Sequence, residues 1–256
     1  MLKIITLNHN SMSLIFKRFK KQEPVVPISQ LGLQTDVHTH IVPSIDDGSN
    51  STVLSLQMIE GLHQFGFQKI IATPHVMSGY FNNTTSSIQH HFNVLAEQCA
   101  SKVNLQVAAE YYMDYEFAQL IEQKSVLTFG EKYVLFEFSF NNEPHKLQET
   151  IFALQINGYT PVLAHPERYM YYFKDFSPLE KLHERGVLFQ LNLLSLIGFY
   201  SDSVCKQAQS LVNAGLCDFL GSDAHNMQHV EALKNGTIPQ SVFDKLMQLN
   251  ILNNNI

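Results

Sequence analysis

The sequence predicts a single-domain α/β fold, with parallel strands wrapped into a barrel. Three observations predict it. From Gln34 onward, seven short β-rich runs alternate with amphipathic segments of helical length, the order expected of βα units around a parallel sheet. Several helical segments stop at glycine, at Gly66, Gly158, Gly186 and Gly215, the residue favoured at a helix C-terminus. Nearly every apolar strand ends in a histidine, aspartate or glutamate, and in a parallel barrel all strand C-termini open on one face.

The chain of 256 residues suffices for one large domain with a buried core. Residues 1–33 read as a basic, flexible arm and 34–256 as the barrel. In the arm, Leu14-Ile-Phe precedes Lys17-Arg-Phe-Lys-Lys21, the reverse of a signal peptide's order, and Met12 offers a shorter start. No apolar run approaches the roughly 20 residues that span a bilayer. A cytoplasmic protein is expected, with an arm able to lie near a membrane surface. Seventeen Lys and Arg against 23 Asp and Glu give a formal charge of -6, which disfavours nucleic acid as a partner. The three cysteines, Cys99, Cys205 and Cys217, lack paired or zinc-like spacing, which argues for a reducing compartment. A cysteine phosphatase needs an arginine six positions after its nucleophile. Those positions hold Leu105, Leu211 and Asp223, which excludes that chemistry.

The first strand, Thr35 to Ile41, carries His38 and His40 two positions apart, so both imidazoles leave the same face of an extended chain. Pro43 then breaks the run, so that one or both of Asp46 and Asp47 before Gly48 can fold back over that face. A helix over Thr52 to Phe65 leads to the strand Lys69 to Thr73, which ends at Pro74-His75. A helix over Thr85 to Ala100 precedes the strand Leu105 to Ala109, ending at Glu110. The helix Tyr115 to Gln123 and the strand Tyr133 to Phe138 follow, the strand presenting Glu137. Next come the helix Lys146 to Asn157 and the strand Thr160 to Ala164, ending at His165. The helix Leu179 to Glu184, the strand Val187 to Leu191 and the helix Ser203 to Ala214 lead to the last strand, Phe219 to Ser222. It ends in a second alternating pair, Asp223 and His225. The closing Asn253-Asn-Asn255 reads as a frayed end.

Taken singly, each of these polar residues is explained as a hydrogen-bonded core or turn residue. Their coincidence at the ends of six strands points to a metal site, and a mixed histidine and carboxylate set suits manganese, iron or zinc. Asp46 reads as a turn residue or an orienting partner rather than a ligand. His63, His90, His91, His145, His183 and His229 receive no catalytic role.

The motifs His38-Thr-His40 with Asp47, Thr73-Pro-His75, Ala109-Glu110, Phe136-Glu137-Phe138, His165-Pro-Glu-Arg168 and Ser222-Asp-Ala-His225 resemble the PHP (polymerase and histidinol phosphatase) superfamily. More closely, Ile45-Asp-Asp-Gly48, Ala72-Thr-Pro-His75 and His165-Pro-Glu-Arg-Tyr169 resemble the manganese-dependent protein tyrosine phosphatases of bacterial capsule and exopolysaccharide operons, the CpsB/CapC type. The resemblance runs from about Thr35 to His225. It implies a distorted (β/α)7 TIM-like barrel with a trinuclear site of divalent ions, manganese first, with iron or zinc as alternatives. His38, His40 and Asp223 would hold the first ion. Glu110 would bridge it to a second, bound by Glu137 and His165. Asp47, His75 and His225 would hold the third.

The same resemblance implies a catalytic set of Arg168, Asp47 and His75, with Arg168 contacting phosphate and a metal-bound hydroxide attacking it. Tyr80, Phe81 and Tyr169 are the candidate contacts to an aryl ring. Aromatic residues after Arg168 also suit a subunit contact, which leaves a homo-oligomer open. The implied substrate is phosphotyrosine on a protein, the tyrosine-rich C-terminal tail of a bacterial kinase controlling capsule or exopolysaccharide synthesis and export. The alternative is hydrolysis of histidinol phosphate, a small alkyl phosphomonoester. The loop Val76 to Thr84 lacks the basic residues that some members of this group carry there.

Overall fold

In the computed structural model the chain is described over residues 23–99 and 103–256. Most of the expected arm, with Met12 and Lys17 to Lys21, lies outside the described residues, as does Ala100, the expected end of the second helix. The described chain opens with β1 (Val25–Pro27), β2 (Thr35–Thr39), α1 (Thr52–Phe65), β3 (Lys69–Ala72), β4 (His75–Val76) and α2 (Thr85–Gln98). It continues with β5 (Asn104–Val107), β6 (Glu110–Tyr112), α3 (Tyr115–Glu122), β7 (Tyr133–Glu137), α4 (Leu147–Ile156) and β8 (Thr160–Ala164). The last part comprises α5 (Ser177–Glu184), β9 (Leu188–Asn192), α6 (Leu193–Leu196), α7 (Asp202–Ala214), β10 (Phe219–Gly221), α8 (Met227–Asn235), β11 (Thr237–Pro239) and α9 (Gln240–Gln248).

The strands form a curled parallel surface. One sheet has the order β10-β9-β8-β7-β6-β4 and a second the order β2-β3-β5, with every pairing in them parallel. The two are continuous through the chain, because β3 runs into β4 across Thr73-Pro74 and β5 into β6 across Ala108-Ala109. Proline has no N–H to donate to the ladder, so the run breaks there. The carbonyl of Pro74 still accepts from Glu110 N–H at 3.1 Å. At the opposite edge, Asp223 N–H donates to His38 O at 2.8 Å and His40 N–H to Ala224 O at 3.0 Å.

Alternation along the strands divides the core. Val37, Ile71, Leu135, Val162 and Phe219, from five different strands, form one buried cluster, which requires that they face the inside of the curl. Their neighbours Ile70, Val134, Phe136 and Leu163 pack against the helices in a larger cluster. Each such side chain contributes about 1.5–3 kcal/mol on burial. Helix starts are capped by side chains: Ser51 accepts from Leu54 N–H, Asp114 from Phe117 N–H and Asn226 from His229 N–H.

Three features correct the sequence reading. The stretch from Val25, assigned there to the arm, is drawn into the fold: β1 pairs antiparallel with β11, and Ile28 is fully buried. Helices α8 and α9 follow His225, where no helix was expected. The C-terminal asparagines are not frayed. Asn253 is fully buried, donating to Thr35 O and Leu220 O and accepting from Leu220 N–H. It thereby ties the start of β2 to the middle of β10 as a strand would. Among the described residues, no helix is long and apolar enough to cross a membrane.

Candidate metal centre

Glu110 is the hub of the site. It is fully buried at the point where the run of β5 resumes as β6. Its Oε2 lies 3.1 Å from His38 Nε2, 3.3 Å from His40 Nε2 and 3.2 Å from His75 Nδ1. Its Oε1 lies 3.0 Å from His165 Nε2. Around this hub the other donors arrive from the C-terminal ends of their strands. Asp223 Oδ1 is 3.4 Å from both His38 Nε2 and His40 Nε2. Glu137 reaches His75 Nδ1 at 3.4 Å and His165 Nε2 at 3.7 Å. Asp47 Oδ1, on the turn after β2, lies 3.6 Å from His75 Nε2 and 3.4 Å from His225 Nε2. All nine sequence-predicted ligands therefore meet in one place.

The histidines are oriented from behind. His38 Nδ1 faces Gln190 Oε1 at 2.6 Å, an atom that only accepts, so this nitrogen carries the proton. His40 Nδ1 likewise donates to Asp46 Oδ2 at 2.8 Å. Both Nε2 atoms then present lone pairs inward, 3.1 Å from each other and facing carboxylate oxygens. Lone pairs so opposed repel unless a cation lies among them, so the donor set fits divalent ions. The spacing fits as well: metal bonds of about 2.1 Å give donor separations of about 3.0 Å in an octahedron and about 3.4 Å in a tetrahedron. Among the described residues, three overlapping groups could hold a metal ion: His40 with Asp47, His75 and His225; His38 with His40 and Glu110; and His75 with Glu110 and Glu137.

Backbone strain is concentrated here. His165 has φ 35° and Asp223 φ 51°, left-handed values that cost a non-glycine residue about 1–3 kcal/mol and aim both side chains inward. The electrostatics follow from crowding. Burial alone would push the Glu110 carboxyl up, but His38 and His75 hold it well below the usual range. Burial, reinforced by Glu110 and Asp223, drives Glu137 well above it. Its hydrogen bond to His225 takes Asp47 down to about 2, and burial takes His165 down to about 4.

The centre opens into a cavity of about 590 Å³. Arg168 lines it, with Nη1 donating to Asp223 Oδ2 at 3.1 Å and its guanidinium carbon over the rings of Phe140 and Tyr200. Phe81 also lines the cavity and stacks on His75 at 5.4 Å. The other two proposed aryl contacts stand elsewhere. Tyr80 is 76% exposed and off the cavity wall. Tyr169 is corrected to a core residue: it is fully buried, donating to Ala164 O and accepting from Phe138 N–H.

Several site residues escaped the sequence reading. Gln190 and Asn192 hold His38 and Asp223 respectively. Their signal was present, as two polar residues two positions apart in an apolar strand. His229 lines the cavity one helical turn after His225, and spacing alone does not separate it from a surface histidine. Phe140 and Tyr200 carry no motif.

A curled parallel sheet with histidines and carboxylates gathered at its C-terminal edge defines an α/β protein suited to metal-assisted hydrolysis. The family model for capsular polysaccharide synthesis, CpsB/CapC, matches residues 34–236, and the chain belongs to that family. It is 31% identical over 197 residues to the tyrosine-protein phosphatase YwqE of Bacillus subtilis, covering 75% of this chain and 78% of the relative. To the tyrosine-protein phosphatase CpsB of Streptococcus pneumoniae it is 26% identical over 201 residues, covering 75% and 83%. Crystal structures of YwqE and CpsB, metal-dependent tyrosine phosphatases, include a chain that matches with a TM-score of 0.73 and 28% identity, over 84% of this chain and 86% of that one. A histidinol phosphate phosphatase from Lactococcus lactis shares the fold at a TM-score of 0.53 and 14% identity, over 83% and 93%.

Proposed function

We propose that this protein hydrolyses phosphotyrosine on proteins at a cluster of divalent metal ions. The observation that carries the reading is Glu110, one buried carboxylate ringed by four imidazole nitrogens at 3.0–3.3 Å and opening on a cavity with a guanidinium in its wall. Bound divalent ions would polarise phosphate oxygens and lower the pKa of water. The chain's residues supply the rest. His38, His40 and Asp223 would hold one ion, Glu110, Glu137 and His165 a second, and Asp47, His75 and His225 a third. Manganese is the first choice. Arg168 presents a planar pair of donors to the charge that develops on the equatorial oxygens. Asp46 and Gln190 keep the imidazoles aimed. A tyrosyl leaving group, with a parent pKa of about 10, leaves without the dedicated acid that an alkoxide requires.

The substrate reading rests on the family, whose relatives above are tyrosine phosphatases. Within it, the tail of a bacterial tyrosine kinase controlling capsule or exopolysaccharide synthesis is the proposed partner, and the cytoplasm the proposed location. We also read the sheet as a closed, distorted (β/α)7 barrel. The hydrogen bonds from β2 to the segment after β10 support that closure. The test compares kcat/KM for a phosphotyrosine peptide and for histidinol phosphate on manganese-loaded protein. A preference for the peptide supports the reading, whereas a preference for histidinol phosphate sinks it in favour of the alkyl-phosphate alternative.

A further inference from the structure

Among the described residues, Arg168 is the one permanently cationic side chain in the wall of the cavity, so its placement governs how a phosphate is met. Its restraint is thin by ordinary measures. Among the described residues it makes a single ion pair, to Asp223 at 3.1 Å, and 28% of the side chain is exposed. An arginine held at one end carries about 2 kcal/mol of rotamer entropy and would swing toward solvent. What prevents this is a pair of rings from separate parts of the chain. Phe140, just past β7, puts its ring centroid 4.8 Å from Cζ, and Tyr200, just before α7, puts its own at 4.7 Å. Both lie within the roughly 6 Å over which an aromatic face attracts a cation.

The rings are themselves anchored. Phe140 stacks on His165 at 5.6 Å and packs against Tyr169 at 5.4 Å. Tyr200 meets Phe199 and His229 edge to face. A guanidinium whose carbon lies over two ring faces loses much of its freedom to swing, which leaves the N–H groups not spent on Asp223 available to the cavity that Arg168 lines. We propose that Phe140 and Tyr200 are positioning residues, which hold Arg168 against their faces so that its free N–H groups meet the phosphate of the substrate. The inference rests on the phosphatase reading for its substrate, while the clamp concerns any phosphate bound in the cavity.

A double-mutant cycle on the full, manganese-loaded chain tests it, read by calorimetric titration with inorganic phosphate and by kcat/KM on a phosphotyrosine peptide. Phe140→Leu and Tyr200→Leu should each weaken phosphate binding roughly threefold to thirtyfold, with manganese content unchanged. In an Arg168→Ala background the same changes should add nothing, because the rings act through the guanidinium. Tyr200→Phe, which keeps the face and drops the hydroxyl, should restore the affinity that Tyr200→Leu loses. Losses that add in full on Arg168→Ala, or affinities that stay at the wild-type value, overturn the clamp. The phosphatase reading fails separately: a cycle that shows the coupling in phosphate binding, with wild-type protein leaving the peptide uncleaved, refutes the proposed substrate and keeps the clamp.

Discussion

Replacing Asp46 by alanine isolates what the supporting partners of the centre contribute. Its side chain is fully enclosed, and one carboxylate satisfies three donors: His40 Nδ1–H at 2.8 Å, His75 N–H at 3.1 Å and Gly48 N–H at 3.0 Å. Asp46→Ala strips the acceptor that fixes the His40 tautomer and frees the backbone at His75, so two imidazoles in one metal group lose their aim. Loss of an orienting partner lowers metal affinity by about 10- to 100-fold, or about 1.4–2.8 kcal/mol. Asp46→Asn keeps one acceptor oxygen and should fall between. Manganese titration of metal-stripped protein reads the affinity, and peptide hydrolysis across the titration should recover at high manganese. An affinity within about twofold of wild type would refute the assignment of Asp46 as the group that orients His40.

Arg168→Ala should lower kcat by about 10²- to 10³-fold, the usual cost of one preorganised donor, and leave manganese stoichiometry alone; a loss under tenfold would contradict its role. Glu167 is fully buried, and burial raises its carboxyl from 4.5 to about 7. The folded protein therefore holds that proton more tightly than the unfolded chain does. The stability tied to it is complete below 4.5 and is lost as pH rises through about 7. Glu167→Gln in metal-stripped protein should flatten melting temperature against pH across that interval, and a slope identical to wild type would rule the buried acid out. At Gly221 an added Cβ would lie 2.7 Å from His38 Cβ and 2.8 Å from Gln190 Nε2. Gly221→Ala should thus cost roughly 1–3 kcal/mol, seen as a lower melting temperature, and an unchanged melt would show that β10 and β2 have room to part.

The parts of the fold that repeat were legible. Alternating apolar runs and glycine stops located β2, β3, β7, β8, β9 and β10 and the helices between them except the short α6, because period and termination are local properties. The candidate ligands were legible because most stand at or just past the end of an apolar strand, where a polar residue has no bland reason to recur six times. What escaped is set by contacts between distant segments. Asn253 looks like a tail residue until Thr35 and Leu220, some 218 and 33 positions away, come within its reach. Tyr169 follows Arg168 in a motif-rich stretch, yet its ring turns into the core against Phe138 at 4.4 Å. Phe140 and Tyr200 matter only because Arg168 comes to lie over both rings.

The claim on which the account depends is that the gathered histidines and carboxylates hold the ions that hydrolyse phosphotyrosine. Chelator-stripped protein, assayed on a phosphotyrosine peptide while manganese is returned in measured equivalents, tests it in one titration. Activity should be absent at the start and rise with bound manganese, saturating with several ions per chain. Full peptide hydrolysis by protein shown to be free of metal, or stoichiometric manganese binding without any hydrolysis, would contradict it.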